Sequence, residues 1–186
     1  MAGPLPEATG AAGWQGDVLR FWFGLEPDRW WKSDPHLDDE IRRRFLNLWS
    51  DKRRLPADSF LAHPLSALAA VLLFDQFPRN MFRGHADQYS TDHLALAIAR
   101  AAVDSGFDDQ LEKVEKVFLY MPFQHSEDRG DQRRSLALFT ALGDDYFLGY
   151  ARKHHDLIDR FGRFPHRNAI LGRAPRPGEA DAPVPW

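Results

Sequence analysis

The sequence predicts an all-α fold, a single domain of stacked antiparallel helical hairpins, on three observations. Apolar side chains recur at spacings of three and four along most of the chain, the period of one helix face. Residues that start and stop helices stand where those stripes begin and end. No stretch reads as a convincing strand.

The stripes follow one another in order. The first, residues 17–23, is short and very aromatic. The second opens at Asp34 as N-cap with Pro35 in the first helical position, followed by Leu37, Ile41, Phe45 and Leu48 on one face. The third runs from Pro64 to about Phe77. Its residues 67–74 are apolar on every side, which marks the central, buried helix. The fourth starts near Ser90 or Thr91 and carries Leu94 and Ile98. The fifth starts at Asp108 and shows Leu111, Val114, Val117 and Phe118. The sixth starts at Ser126 and carries Leu136, Phe139 and Leu142. The seventh, residues 144–161, bears Phe147, Tyr150, Leu157 and Phe161 before Gly162 stops it. Short connections make neighbouring helices pack antiparallel.

Composition narrows the function classes. A length of 186 residues suits one domain with a substantial core, and 44% hydrophobic residues is too apolar for a disordered chain. A net charge of −3 argues against a general nucleic-acid partner, which calls for a basic excess. The absence of cysteine excludes disulfides, thiolate metal ligands and cysteine nucleophiles. Residues 1–13 read as a flexible leader, with neither the basic start nor the apolar stretch of a secretory signal. Residues 14–173 form the helical domain, and 174–186 a proline-rich tail. The longest apolar run is too short to span a bilayer, so no membrane partner and a cytoplasmic location are expected.

Asp75 is the first residue of interest. A carboxylate in the last turn of the most buried helix faces the negative end of the helix dipole and loses solvation as well. It requires a cation, and Arg79, Arg83, Arg163 and Arg167 are the candidates. The plain reading is a structural ion pair. The sharper one has Asp75 orienting an arginine whose remaining donors face a ligand carboxylate or phosphate. His125 follows an aromatic-proline segment and precedes Glu127 and Asp128, which would raise its pKa if they were close. Ser126 reads as a helix cap. His154 falls on the apolar face of the seventh helix, where a hydrogen-bonded core histidine is the commoner outcome. His166, Arg167 and Asn168 follow Pro165 in an irregular loop. Donors for a metal exist, but no His-x-x-x-His or Glu-x-x-His spacing puts two on one helix face, so no metal site is assigned. Glycine-rich nucleotide loops and a Gly-x-Ser-x-Gly elbow are missing. Trp30-Trp31 reads either as the wall of a groove or as packing at the end of the helical stack.

Several segments occur together and in order: Phe21-Trp22-Phe23-Gly24, Trp30-Trp31, Leu73-Phe74-Asp75-Gln76-Phe77-Pro78-Arg79-Asn80, Tyr120-Met121-Pro122-Phe123-Gln124-His125-Ser126-Glu127-Asp128, and Arg160-Phe161-Gly162-Arg163-Phe164-Pro165-His166-Arg167-Asn168. In this combination the chain closely resembles the bacterial family called domain of unknown function 924, over about residues 17–173. The resemblance implies a tetratricopeptide-like α-α superhelix and no established reaction, cofactor or partner. After Leu171-Gly172-Arg173 the chain leaves the family pattern, which points to a lost terminal contact.

Two functions remain open. The polar groups Arg79, Asn80, Arg83, Glu127, Arg163, Arg167 and Asn168, with Asp75 behind them, would form a pocket for a small anionic ligand. His125 or His166 would be its acid or base. Alternatively, the helical hairpins present a concave surface to a peptide. The first reading rests on three aromatic-proline corners, Phe77-Pro78, Met121-Pro122-Phe123 and Phe164-Pro165. They are expected to close the third, fifth and seventh helices at one end of the stack. The gathered helix C-termini would then favour arginines and protonated histidines.

Overall fold

The computed structural model describes residues 13–184, and all regular structure among them is helical. Most of the expected leader lies outside the described residues. Helix α1 (Trp14–Phe23) opens earlier than the apolar stripe suggests, with Trp14 edge-on to Phe60. Helix α2 (Pro35–Lys52) starts as expected: the Asp34 carboxylate accepts the N–H groups of His36 at 3.0 Å and Leu37 at 3.3 Å.

The third helix departs from expectation in an instructive way. Helix α3 (Pro64–Val71) passes through one π-turn (Leu72–Gln76) straight into α4 (Phe77–Met81), so Phe77-Pro78 is not a corner. Pro78 has no N–H to give Phe74 four residues back, and its ring would collide with that carbonyl in a regular α-helix. The wider π-turn relieves the collision. The freed Phe74 carbonyl accepts the Thr91 hydroxyl at 2.7 Å, and Thr91 Oγ1 in turn accepts the Trp49 indole N–H at 3.2 Å. Thr91 thus stands at the N-cap position of α5 (Asp92–Asp104) with its side chain engaged elsewhere.

Helix α6 (Lys113–His125) begins later than Asp108, which sits in a 3-10 turn. A capping box of Glu112 and Glu115 outweighs the lone aspartate. It also ends later, because Pro122 lies inside it one turn from the end, where only one ladder bond is forfeited. Gln132 donates to the carbonyls of Gln124 at 2.8 Å and Ser126 at 2.6 Å and so caps that end. Helix α7 (Arg129–Leu142) is capped by Asp128 and not by Ser126, whose hydroxyl donates to Asp131 at 2.6 Å. Helix α8 (Asp145–Phe161) starts at the Asp144 cap and stops at Gly162 with φ 70°, as predicted.

The core forms around α3. Residues 67–74 are wholly inaccessible, and α1, α5 and α6 pack on that helix. Helix α2 lies on α4, and α5, α6 and α7 each pack on the next helix in the chain. Phe77 anchors an aromatic cluster with Phe45 at 4.7 Å, Trp22 at 5.7 Å and Phe21 at 6.1 Å. Each such ring stabilises the fold by roughly 1.5–3 kcal/mol through burial. The tail does return to the domain. Glu179 is buried, accepts Arg163 Nε at 2.7 Å and Nη2 at 2.8 Å, and accepts Asn168 Nδ2 at 2.9 Å. A terminal contact is therefore made by this chain's own atypical tail. No helix among the described residues is long and apolar enough to cross a membrane.

Candidate functional site

The π-turn and α4, the C-terminal half of α6, the middle of α8 and the turn Pro165–Arg167 surround one cavity of about 770 Å³. That is within the size range of small-molecule sites. One wall is aromatic: Trp30 and Trp31 face Tyr146, Phe147 and Tyr150 of α8. Trp30 is fixed by its indole N–H, which donates to the Trp22 carbonyl at 2.8 Å. Trp31 stacks on Phe118 at 5.7 Å with an interplanar angle of 5°. Trp30-Trp31 therefore serves both as packing and as a wall.

Much of the remaining lining is polar. Arg79, Asn80, Arg83, His125, His166 and Arg167, all named from the sequence, line the cavity together with Gln76, Gln124 and His154. The three segments do converge, although two of the three supposed corners run through helix. What gathers them is the packing of the π-turn rod and α6 around the same core, with the Phe164-Pro165 corner laid alongside.

Asp75 lies directly behind this face, wholly buried. Its carboxylate meets His125 Nδ1 at 2.8 Å, accepts Gln76 Nε2 at 2.6 Å and has Arg79 Nη1 at 3.5 Å. Burial pushes this carboxyl upward, but Arg79, His125 and Gln76 together hold it at about 2. Asp75 is thus ionised and paired with Arg79, one of the four arginines expected, while its closest ionisable partner is a histidine that the expectation did not name. Burial, and then the charge of Arg79, push the His125 imidazole below the ordinary histidine value against the pull of Asp75. A neutral ring donates its Nδ1–H to the carboxylate and keeps its Nε2 lone pair for the cavity.

The two other histidines on the cavity wall, His154 and His166, behave alike. Burial brings His154 to about 3 and His166 to about 4, with neighbouring positive charge adding to the effect. The protonated histidines expected at gathered helix ends are therefore absent: desolvation and the arginines outweigh the dipoles. His154 Nδ1 lies 2.8 Å from the Tyr150 carbonyl, the hydrogen-bonded core histidine expected on that face.

Arg79 and Arg167 both approach Asp92. Arg79 donates to both oxygens of Asp92, at 2.9 Å each, and also to the Asp75 carbonyl. Arg167 is differently placed. It is buried between the rings of Tyr89 at 4.5 Å and Phe164 at 4.4 Å. Its Nη1 is 3.9 Å from Asp92, beyond hydrogen-bond reach, and its buried Nε–H has no acceptor among the described residues.

Other sequence candidates are committed elsewhere. Arg83 and Asn80 hold Asp38 of α2, at 2.6 and 2.7 Å. Glu127 does not approach His125. It accepts Arg173 Nη1 at 2.7 Å and the Phe164 N–H at 2.7 Å, fixing the corner. Arg163 and Asn168 serve the tail through Glu179. Among the described residues no three His, Asp or Glu side chains stand close enough to hold a metal ion.

Sequence reasoning missed Asp92, Tyr89, Gln76 and the α8 aromatics. Asp92 carried one signal, a carboxylate in the first turn of an amphipathic helix, which helix capping alone would explain.

The sequence profile of a bacterial protein family of unknown function, DUF924, matches residues 18–182. The structure of the protein of unknown function ATU0120 from Agrobacterium tumefaciens superposes with a TM-score of 0.84 at 41% identity, covering 89% of this chain and 93% of that one. No functionally curated protein matches the chain. A match along nearly the whole length, joined to that structural likeness, places the chain in the DUF924 family.

Proposed function

We propose that the cavity binds a small anionic molecule with an apolar or aromatic body. The observation that carries this reading is Arg167, a buried guanidinium on the cavity wall whose Nε–H has no acceptor among the described residues and whose Nη1 stands 3.9 Å from Asp92. A buried donor without an acceptor costs about 1–3 kcal/mol, and a bound carboxylate or phosphate would remove that cost through charge-assisted bonds. Tyr89 and Phe164 hold the guanidinium in place through its faces, so little side-chain entropy is left to lose on binding. The aromatic wall of Trp30, Trp31, Tyr146 and Phe147 suits the body of such a ligand. A peptide-binding superhelix receives less support, because the polar groups converge in one recess and do not spread along a concave face.

Thermal unfolding with phenyl phosphate, benzoate and inorganic phosphate, against neutral benzyl alcohol, tests the proposal. At a hundredfold excess over Kd a ligand stabilises by about 2.7 kcal/mol. For a chain of this size that is a rise in Tm of roughly 5–10 °C. The rise is expected for the anionic aromatics and is lost in Arg167→Gln. Equal response to benzyl alcohol, or no response to any anion, overturns the reading.

A further inference from the structure

We infer that the Asp75–His125 pair makes this cavity a general-base centre for hydrolysing an acyl ester that carries an anionic group. The inference rests on the anion-binding reading and extends it to a reaction.

A buried carboxylate is most simply satisfied by arginine, and Arg79 is already present. The imidazole is an additional partner. Its Nδ1 is tied to a carboxylate that is wholly buried, which fixes both the ring orientation and the tautomer. The second ring nitrogen then belongs to a side chain on the cavity wall. A carboxylate behind a neutral imidazole holds the ring with its lone pair forward and stabilises the imidazolium formed when a proton arrives. Arg79 also contributes. By pairing with Asp75 it holds that carboxylate ionised, and by taking both oxygens of Asp92 it leaves Arg167 no nearer than 3.9 Å to that carboxylate.

Water is the nucleophile that the wall allows. The chain has no cysteine, and no hydroxyl among the described residues is hydrogen-bonded to His125. In the proposed step His125 Nε2 takes a proton from water as the water oxygen bonds to the acyl carbon. The tetrahedral adduct then collapses with breakage of the carbon–oxygen ester bond. The imidazolium returns its proton to the leaving alkoxide, giving acid and alcohol with no external oxidant or reductant. Arg167 holds the anionic group of the substrate, and the aromatic wall holds the rest. His125 is the catalytic residue and Asp75 a positioning residue.

The test uses the full chain with mono-p-nitrophenyl glutarate, an anionic activated ester, and p-nitrophenyl acetate as its neutral counterpart. Turnover of the glutarate ester is expected to exceed that of the acetate in kcat/KM. Phenyl phosphate should inhibit it competitively, and it should run slower in deuterium oxide. The glutarate rate should rise through one ionisation below the ordinary histidine value. His125→Gln, with unchanged Tm, should lower kcat by about 100-fold or more. Asp75→Asn should lower kcat and move the inflection to lower pH, which lost packing alone would not do. Phenyl phosphate binding together with a rate identical in wild type and His125→Gln overturns the general base and leaves the binding site standing. Failure of phenyl phosphate to bind removes the binding reading, and this inference with it. Should His125→Gln fail to fold, the wild-type pH profile and isotope effect decide: a rate independent of both contradicts the inference.

Discussion

Replacing Asp75 with asparagine removes one charge and little volume at the centre of the molecule. Despite its burial the carboxyl is held well below its ordinary 3.8, chiefly by the charge of Arg79, which stabilises the folded state at neutral pH by about 2–3 kcal/mol. The sign follows from the depressed value: the stabilisation is complete above 3.8 and disappears as pH falls through 2. Asparagine still offers an oxygen to His125, but its amide N–H₂ then opposes the donating Gln76 Nε2. The sequence alone suggests that losing Asp75 strands a buried cation, at about 3–5 kcal/mol. The structure lowers that figure, because Arg79 keeps both oxygens of Asp92. The expected loss for Asp75→Asn is therefore about 2–3 kcal/mol at pH 7, a drop in Tm of roughly 5–10 °C. Urea unfolding of both proteins at constant ionic strength, from pH 7 down to pH 2, measures it. The two stabilities should converge as pH falls from about 5 to about 2. A variant as stable as wild type at pH 7, or a gap that persists at pH 2, refutes the account of Asp75.

Three further outcomes follow from the fold. Thr91→Val removes the hydroxyl that serves both the Phe74 carbonyl and the Trp49 indole. Two buried groups lose their partner, and urea unfolding should show a loss of about 2–4 kcal/mol. Phe77→Ala empties the centre of the aromatic cluster and should cost about 3–5 kcal/mol in the same assay. Glu179→Ala releases Arg163, Asn168 and the Arg176 N–H together. Limited trypsin digestion should then cut after Arg173 well before any cleavage in the helical body; an unchanged digestion pattern contradicts the anchoring role.

The helical architecture was legible because it depends on local periodicity and on end signals that act within a few residues. Asp34, Asp144 and Gly162 are such signals, and each stands at the boundary it announced. The errors arose where proline was read as a helix end. Pro78 and Pro122 lie inside helices because tertiary groups meet the cost: Thr91 serves the Phe74 carbonyl, and Pro122 sits too near the α6 terminus to disturb much. No sequence spacing reveals that Thr91, seventeen residues on, supplies that hydroxyl.

The candidate site was legible by residue type and not by pairing. Arg79, His125 and Arg167 share one cavity, as their loop-like motifs suggested. Which carboxylate faces which base was not visible. Glu127 is two residues from His125 in sequence and belongs to Arg173, whereas Asp75 is fifty residues away and belongs to His125. Helix packing brings the latter pair together, and no spacing in the sequence shows it. Desolvation was the other missing quantity. It reverses the expected charge of the histidines and can be judged only once the surroundings of each ring are known.

Isothermal titration of phenyl phosphate into the wild-type protein and Arg167→Gln, in a phosphate-free buffer at neutral pH, bears most directly on the central claim. The account predicts saturable binding of one molecule per chain in the wild type, weakened by at least about 10-fold in Arg167→Gln, since a charge-assisted bond is worth about 1.5–3 kcal/mol. No binding to the wild type, or equal binding to both proteins, would contradict it.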